Sequence, residues 1–211
     1  VSTSQVWGGR TAEERRAERR ARLIHAAFET WGDSGWAAVT MRGVCAKAGL
    51  TDRYFYESFT DRDALLAAVW DQLRDETTAA IITVHAEMAD AHPLEQLRGV
   101  AEVAVTRFAA EPRRARILFG DHSGSSLLEG RRHELTLLVT RLMAEQGLPY
   151  LATDVDEDDY RHSMLMAVGG VMELVTAWRA GAVDLDTDGL INQITRFGTA
   201  LSNHYLAEPP H

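Results

Sequence analysis

The chain has 211 residues, 45% of them apolar and 25% charged, a composition that suits a folded protein with a substantial core and excludes a disordered or fibrous one. A single cysteine cannot close an internal disulfide, and no apolar run approaches the length needed to span a bilayer. The arginines near the N-terminus have no hydrophobic stretch behind them, so no secretory signal is expected and the protein reads as cytoplasmic, with no membrane partner. The formal charge of −9 is unevenly spread: residues 1–62 hold ten Lys or Arg against eight Asp or Glu, and residues 63–211 hold twelve against twenty-three. A weakly basic segment on an acidic body fits phosphate contact at one end only.

Residues 1–12 have no periodicity and read as a mobile arm. Arg15, Arg16, Arg19, Arg20 and Arg22 follow, interleaved with Glu13, Glu14 and Glu18. Two readings stay open for them: a solvated helix start, or an arm whose arginines reach phosphates or a minor groove. Leu23, Ala26, Ala27 and Trp31 then form the apolar side of a first helix, which Gly32 or Gly35 ends.

Thr40 is placed to cap a short helix, because its hydroxyl can accept from an orphan N–H of the first turn. Met41, Val44 and Cys45 fall on one face of it, and Ala48-Gly49-Leu50 supplies a turn at the residue that adopts a left-handed conformation at least cost. Thr51 is a second cap, followed by Arg53, Tyr54, Phe55 and Tyr56 in a helix expected to stop near Phe59. Two short helices joined by a glycine turn, the second rich in Arg and Tyr, is the helix-turn-helix pattern.

Past Asp61, helical spacing runs through Leu66, Val69, Trp70, Leu73, Ile81, Val84 and Met88 without Gly or Pro until Pro93, which predicts one long connecting helix. Pro93 and Pro112 each open a further helix. Residues 120–126 read as a loop or cap before a helix carrying Leu128 to Met143. Two last helices are expected over roughly 157–180 and 188–206, separated by the turn-rich 181–187. Nothing reads as a β-strand, so the fold class is all-α.

The series Gly35, Thr40, Val44-Cys45, Ala48-Gly49-Leu50-Thr51, Phe55-Tyr56, Phe59, Arg62 and Leu65-Leu66 resembles the N-terminal signature of the TetR-type transcriptional repressors in residue type and spacing. The resemblance covers roughly residues 20–69; at Cys45, Arg53, Tyr54 and Arg62 the sequence departs from residues the family commonly carries, which bears on base preference and not on the fold. It implies a helix-turn-helix domain over 13–62 and a helical effector-binding and dimerisation domain over 63–211. It also implies a double-stranded DNA operator, a homodimer and a small-molecule effector as partners, with no cofactor and no catalytic activity.

Several residues follow from it. Tyr56 matches the family's phosphate-contacting tyrosine. Arg53 and Tyr54 stand at the start of the recognition helix, where base edges come within reach. Thr40, Arg42, Thr51 and Arg62 are expected to add backbone contacts. Among the polar and polarisable groups of the second part, His85, Met88, Phe108, Phe119, His122, Met143, Met166 and Met172 are the candidates for an effector pocket. The dimer interface is expected on the last two helices, at Ala167, Gly170, Leu174, Ala177, Gly181, Ile194, Phe197 and Leu201. A mid-helix glycine such as Gly170 costs about 0.5–1 kcal/mol relative to alanine, and close approach of a helix would offset that, whether of a partner copy across a two-fold axis or of the same chain.

Other chemistry is weaker. The acidic run Asp154–Asp159 with His162 lacks the glycine and spacing of a calcium loop, and acidic residues at a helix start offset the macrodipole without an ion. The segment Gly120-Asp121-His122-Ser123-Gly124 is not a nucleophile elbow, and no strand precedes it. A helical enzyme or ligand-binding bundle with a purely structural helix-turn-helix is the alternative reading; Arg53, Tyr54 and Tyr56 speak against it, being poor choices for an element that only packs.

Overall fold

A computed structural model describes residues 11–207, so all but the last two residues of the expected arm lie outside the described residues. The helices are α1 (Ala12–Ser34), α2 (Met41–Ala48), α3 (Asp52–Tyr56), α4 (Arg62–Glu87), α5 (Pro93–Ala110), α6 (Pro112–Phe119), α7 (Ser126–Gly147), α8 (Glu157–Arg179) and α9 (Thr187–Tyr205). Among the described residues there is no strand, only an isolated bridge between Leu151 and Leu206. The all-α expectation holds. No helix among them is long and apolar enough to cross a membrane.

The helix starts are chemical. Thr11 and Glu14 close a reciprocal capping box, the Thr11 hydroxyl accepting from Glu14 N–H at 3.1 Å and the Glu14 carboxylate from Thr11 N–H at 2.6 Å. Thr40, Ser125, Asp156 and Asp186 cap α2, α7, α8 and α9 from one side only, each side chain accepting from a first-turn N–H. Pro93 and Pro112 occupy first helical positions, as expected. The acidic run is accounted for locally: Asp156 is the cap of α8, and Glu157, Asp158 and Asp159 fill its first turn. No metal-holding cluster of His, Cys, Asp or Glu occurs among the described residues.

Two helix ends differ from the sequence reading. The helix α3 stops at Tyr56, because the turn that follows reaches Phe59 through bonds from Ser58 and Phe59 N–H to the Phe55 carbonyl. The long helix stops at Glu87, short of Pro93. His92 ends the intervening turn: its Nδ1 accepts from Leu94 N–H at 3.2 Å and caps α5.

The chain divides into two units at Leu73/Arg74, inside α4. The first is built on Leu23, Trp31, Val44, Phe55, Leu65, Leu66 and Trp70, each at most 1% exposed. Complete burial of such a side chain stabilises by about 1.5–3 kcal/mol. In the second unit α5 packs along α9, α7 along α8, and α6 against α8. At the contact of α5 with α9 the Leu97 side chain lies over Gly198, where a Cβ atom would stand 2.1 Å from Leu97 Cδ2 and displace it.

Candidate nucleic-acid interface and effector cavity

The turn between α2 and α3 is set by Gly49, at φ +63° and ψ +38°, with Leu50 N–H donating to the Cys45 carbonyl at 2.9 Å. That left-handed conformation disfavours any residue with a Cβ. A Cβ here would also stand 3.2 Å from the Arg22 guanidinium. Beneath the turn Cys45 is buried, 3% exposed. Burial, with the Asp52 carboxylate second, pushes its thiol pKa up, so it stays protonated and packs as a small apolar residue.

Phe55 anchors α3, 0% exposed and 5.7 Å from the Phe59 ring. With that residue inward, its neighbours face out. Arg53 is 84% exposed at its side chain and holds Glu57 at 3.3 Å. Tyr56 is 61% exposed, and Arg42, Thr40 and Thr51 are exposed as well. The Thr51 hydroxyl makes no capping bond, whereas that of Thr40 accepts from Gly43 N–H at 3.2 Å. Tyr54 is half-buried, with the Arg19 guanidinium 4.4 Å above its ring.

Four arginines of α1 hold this pair of helices from behind. Arg16 donates to the Glu57 carbonyl and Arg22 to the Ala48 carbonyl. Arg19 pairs with Glu57 at 3.1 Å, and Arg20 lies over the Phe59 ring at 4.9 Å. Neither a solvated helix start nor an arm reaching DNA anticipates these contacts, which brace α1 against α2 and the end of α3. Arg62 is likewise turned inward: it donates to the Val39 and Trp36 carbonyls, each at 2.6 Å, and covers the Trp36 ring at 5.1 Å. Lys47, not singled out from sequence, lies on α2 and pairs with Glu29 at 3.2 Å.

Residues 23–69, which contain this arrangement, match the family model described as bacterial regulatory proteins, tetR family. The chain carries the N-terminal domain of the tetR family. A curated relative, the HTH-type transcriptional regulator BetI of Stenotrophomonas maltophilia, is 34% identical over 84 residues, 40% of this chain and 42% of that protein. The chain thus matches less than half the length of that relative. The fatty acid degradation regulator FadR of Bacillus halodurans superposes with a TM-score of 0.68 at 17% identity, over 85% of this chain and 93% of that one. FadR of Bacillus subtilis, solved with stearoyl-CoA, gives 0.65 at 16% identity over 84% and 96%. At such identities these likenesses speak for the fold: the tetR-type domain is followed by a helical body of the kind those structures have.

That body holds a half-open cavity of about 240 Å³ lined from α4, α5, α6, α7, α8 and α9. His85, Phe108, Phe119, Met143 and Met172 line it. Met88 instead packs on the cluster of Ile81, Val84 and Val100. His122 is buried in the loop before α7, outside the lining, and desolvation there lowers its pKa. Met166, 69% exposed, stands on the open side of α8. Sequence reasoning missed Gln96, Leu97, Val100, Tyr160 and Val171, which also form the wall.

The residues expected at a dimer interface fall into two groups. Ala167, Ile194, Phe197 and Leu201 line the chain's own cavity, although Phe197 is also 43% exposed. Gly170 and Gly181 are exposed, and a Cβ at either would meet nothing within 4 Å. Leu174 and Ala177 are half-buried between the two groups.

Proposed function

We propose that this tetR-type protein is a homodimeric, sequence-specific DNA-binding regulator, a repressor that leaves its operator when a small molecule fills the cavity. The observation that carries the reading is the exposed side of α2 and α3. There Arg53, Tyr56, Arg42 and Thr51 face outward on a pair of helices fixed from behind by Gly49, Phe55 and four arginines. A structural helix pair needs none of those outward groups; base edges and phosphates use all of them. Arg53 suits a bidentate bond to guanine, and Tyr56, Thr51 and Arg42 suit phosphates. The alternative of an enzyme or plain ligand-binding bundle leaves the exposed Arg53 and Tyr56 without a role.

Dimerisation is supported by the exposed apolar groups of α8 and α9, namely Leu165, Met166 and Phe197, beside an uncovered Gly170. Two copies would present recognition helices to half-sites about 34–36 Å apart in the simplest case. The switch rests on α4, which carries Arg62 at the helix-turn-helix and Thr77, Ile81 and His85 at the cavity wall. A ligand shifts operator binding only by its differential affinity for the bound and free conformations. FadR of Bacillus subtilis was solved with stearoyl-CoA, which supports a ligand in a body of this fold.

The test is fluorescence anisotropy on duplexes tiling the DNA beside the protein's own gene. One duplex should bind well above the rest, and its affinity should fall on adding the effector. Uniform binding to every duplex would remove the regulatory reading. Gly170→Leu tests the dimer: sedimentation should show a folded monomer with weakened operator binding, since a Cβ there meets nothing within 4 Å among the described residues. A Gly170→Leu dimer of normal affinity would place the interface elsewhere.

A further inference from the structure

The cavity has a feature that narrows the chemistry of what enters it. None of the described residues lining it is Asp, Glu, Lys or Arg. A carboxylate or phosphate placed there would lose its water and find no cation in exchange. Its ionisable wall groups are the Tyr160 phenol, kept neutral by burial, and the His85 imidazole.

His85 is held by Gln96, itself 6% exposed and part of the same wall. The Gln96 amide nitrogen donates to the Ala91 carbonyl at 3.0 Å, which turns its amide oxygen toward the imidazole. The opposite amide orientation would set two carbonyl oxygens against each other. That oxygen lies 2.9 Å from His85 Nδ1 and accepts its proton. A neutral imidazole protonated on Nδ1 presents Nε2 as an acceptor only. Nε2 is buried and has no hydrogen-bond partner among the described residues. Buried acceptors are nearly always matched in native proteins, and an unmatched one beside an apolar cavity signals a missing donor.

Size gives a second constraint. A dry apolar cavity of about 150 Å³ accommodates benzene, so the 240 Å³ inside this half-open one holds about ten non-hydrogen atoms of a ligand. We infer that the cavity takes an uncharged, largely apolar ligand of about that size, whose one hydroxyl or N–H group donates to His85 Nε2. This deepens the effector reading above and rests on it for biological meaning, but the binding itself is measured without DNA.

The probes are 1-nonanol, methyl octyl ether and nonanoate, titrated calorimetrically into the full chain at pH 8. The first two have the same number of non-hydrogen atoms, and only the alcohol has a donor. Nonanol should bind about three- to tenfold more tightly than the ether, the range of one net hydrogen bond. Nonanoate should bind at least about tenfold more weakly than nonanol, as a charge without a partner requires. In His85→Phe, which keeps the bulk and removes the acceptor, alcohol and ether should bind alike. Equal binding of alcohol and ether by the wild type overturns the assignment of His85. Nonanoate binding as tightly as nonanol overturns the uncharged class, and failure of all three to bind overturns the site. An alcohol preference that survives in His85→Phe places the acceptor on another wall group. Should His85→Phe not fold, the wild-type ranking of the three probes decides alone. Operator DNA still held with nonanol bound contradicts the regulatory switch and leaves this assignment standing.

Discussion

The two units of the chain solve opposite problems. The first presents polar groups outward from a small core, and its arginines are held in place by contacts within the unit. The second turns its apolar groups inward around empty space and carries its acidic charge on the outside. In the first unit the shape depends on a few irreplaceable residues, namely Gly49, Phe55 and Arg62. In the second it depends on many interchangeable apolar ones. A surface that reads a fixed polymer needs fixed side chains, whereas a cavity needs volume and one or two polar groups.

The contrast is sharpest where removal of one side chain is compared between units. Phe55→Ala should destabilise by about 3–5 kcal/mol, since the residue is 0% exposed and a five-residue helix cannot close over the gap. Ile82→Ala, at an exposed position of α4 in the second unit and away from α8 and α9, should change stability by no more than about 0.5 kcal/mol. Urea denaturation of the two variants measures both. Similar losses would erase the distinction between a keyed and a tolerant unit.

A smaller effect separates a brace from a DNA contact. Arg62→Ala loses two hydrogen bonds to carbonyls and the cover over Trp36, at a cost of about 1.5–3 kcal/mol in thermal or chemical unfolding. Arg62→Lys should recover only part of it, because an ammonium cannot span both carbonyls as the guanidinium does. Full stability of Arg62→Ala, with weakened DNA binding, would return Arg62 to the interface.

How far each unit was legible follows the same division. Thr40 and Gly49 are local signals, so the helix-turn-helix was readable with its turn and first cap, whereas Thr51 takes the N-cap position of α3 without the capping bond expected of it. The inward course of Arg62, and of Arg16, Arg19, Arg20 and Arg22, was not, because their partners lie more than twenty residues away. In the second unit the helices were readable from apolar spacing and from Pro93 and Pro112. The end of α4 was not: no Gly or Pro lies between Arg62 and His92 to announce it. The cavity wall was legible only in part, since a void arises from how α5 meets α9 at Gly198 and Leu97, and no single helix encodes it.

A further effect on stability is one of pH. Burial lowers the His122 pKa in the folded chain from its usual 6.5. The unfolded chain therefore takes up a proton at higher pH than the folded one does. Stability contributed by neutral His122 is full above about pH 6.5 and is lost as pH falls from there toward the lowered value. The slope is at most about 1.4 kcal/mol per pH unit for one proton. His122→Asn should flatten that portion of the stability curve, read by denaturation midpoints between pH 5 and 8. An unchanged slope would show that other groups set the acid limit of the second unit.

The claim that joins the two units is that α3 reads bases. Arg53→Ala, compared with the wild type on the best-bound duplex and on a scrambled one, tests it most directly. Affinity for the specific duplex should fall by about 1–3 kcal/mol per half-site, while the scrambled duplex is held nearly as before. Tyr56→Phe should weaken both alike. Equal losses on the two duplexes in Arg53→Ala would make Arg53 a phosphate contact and contradict the assignment of α3 as the base-reading helix.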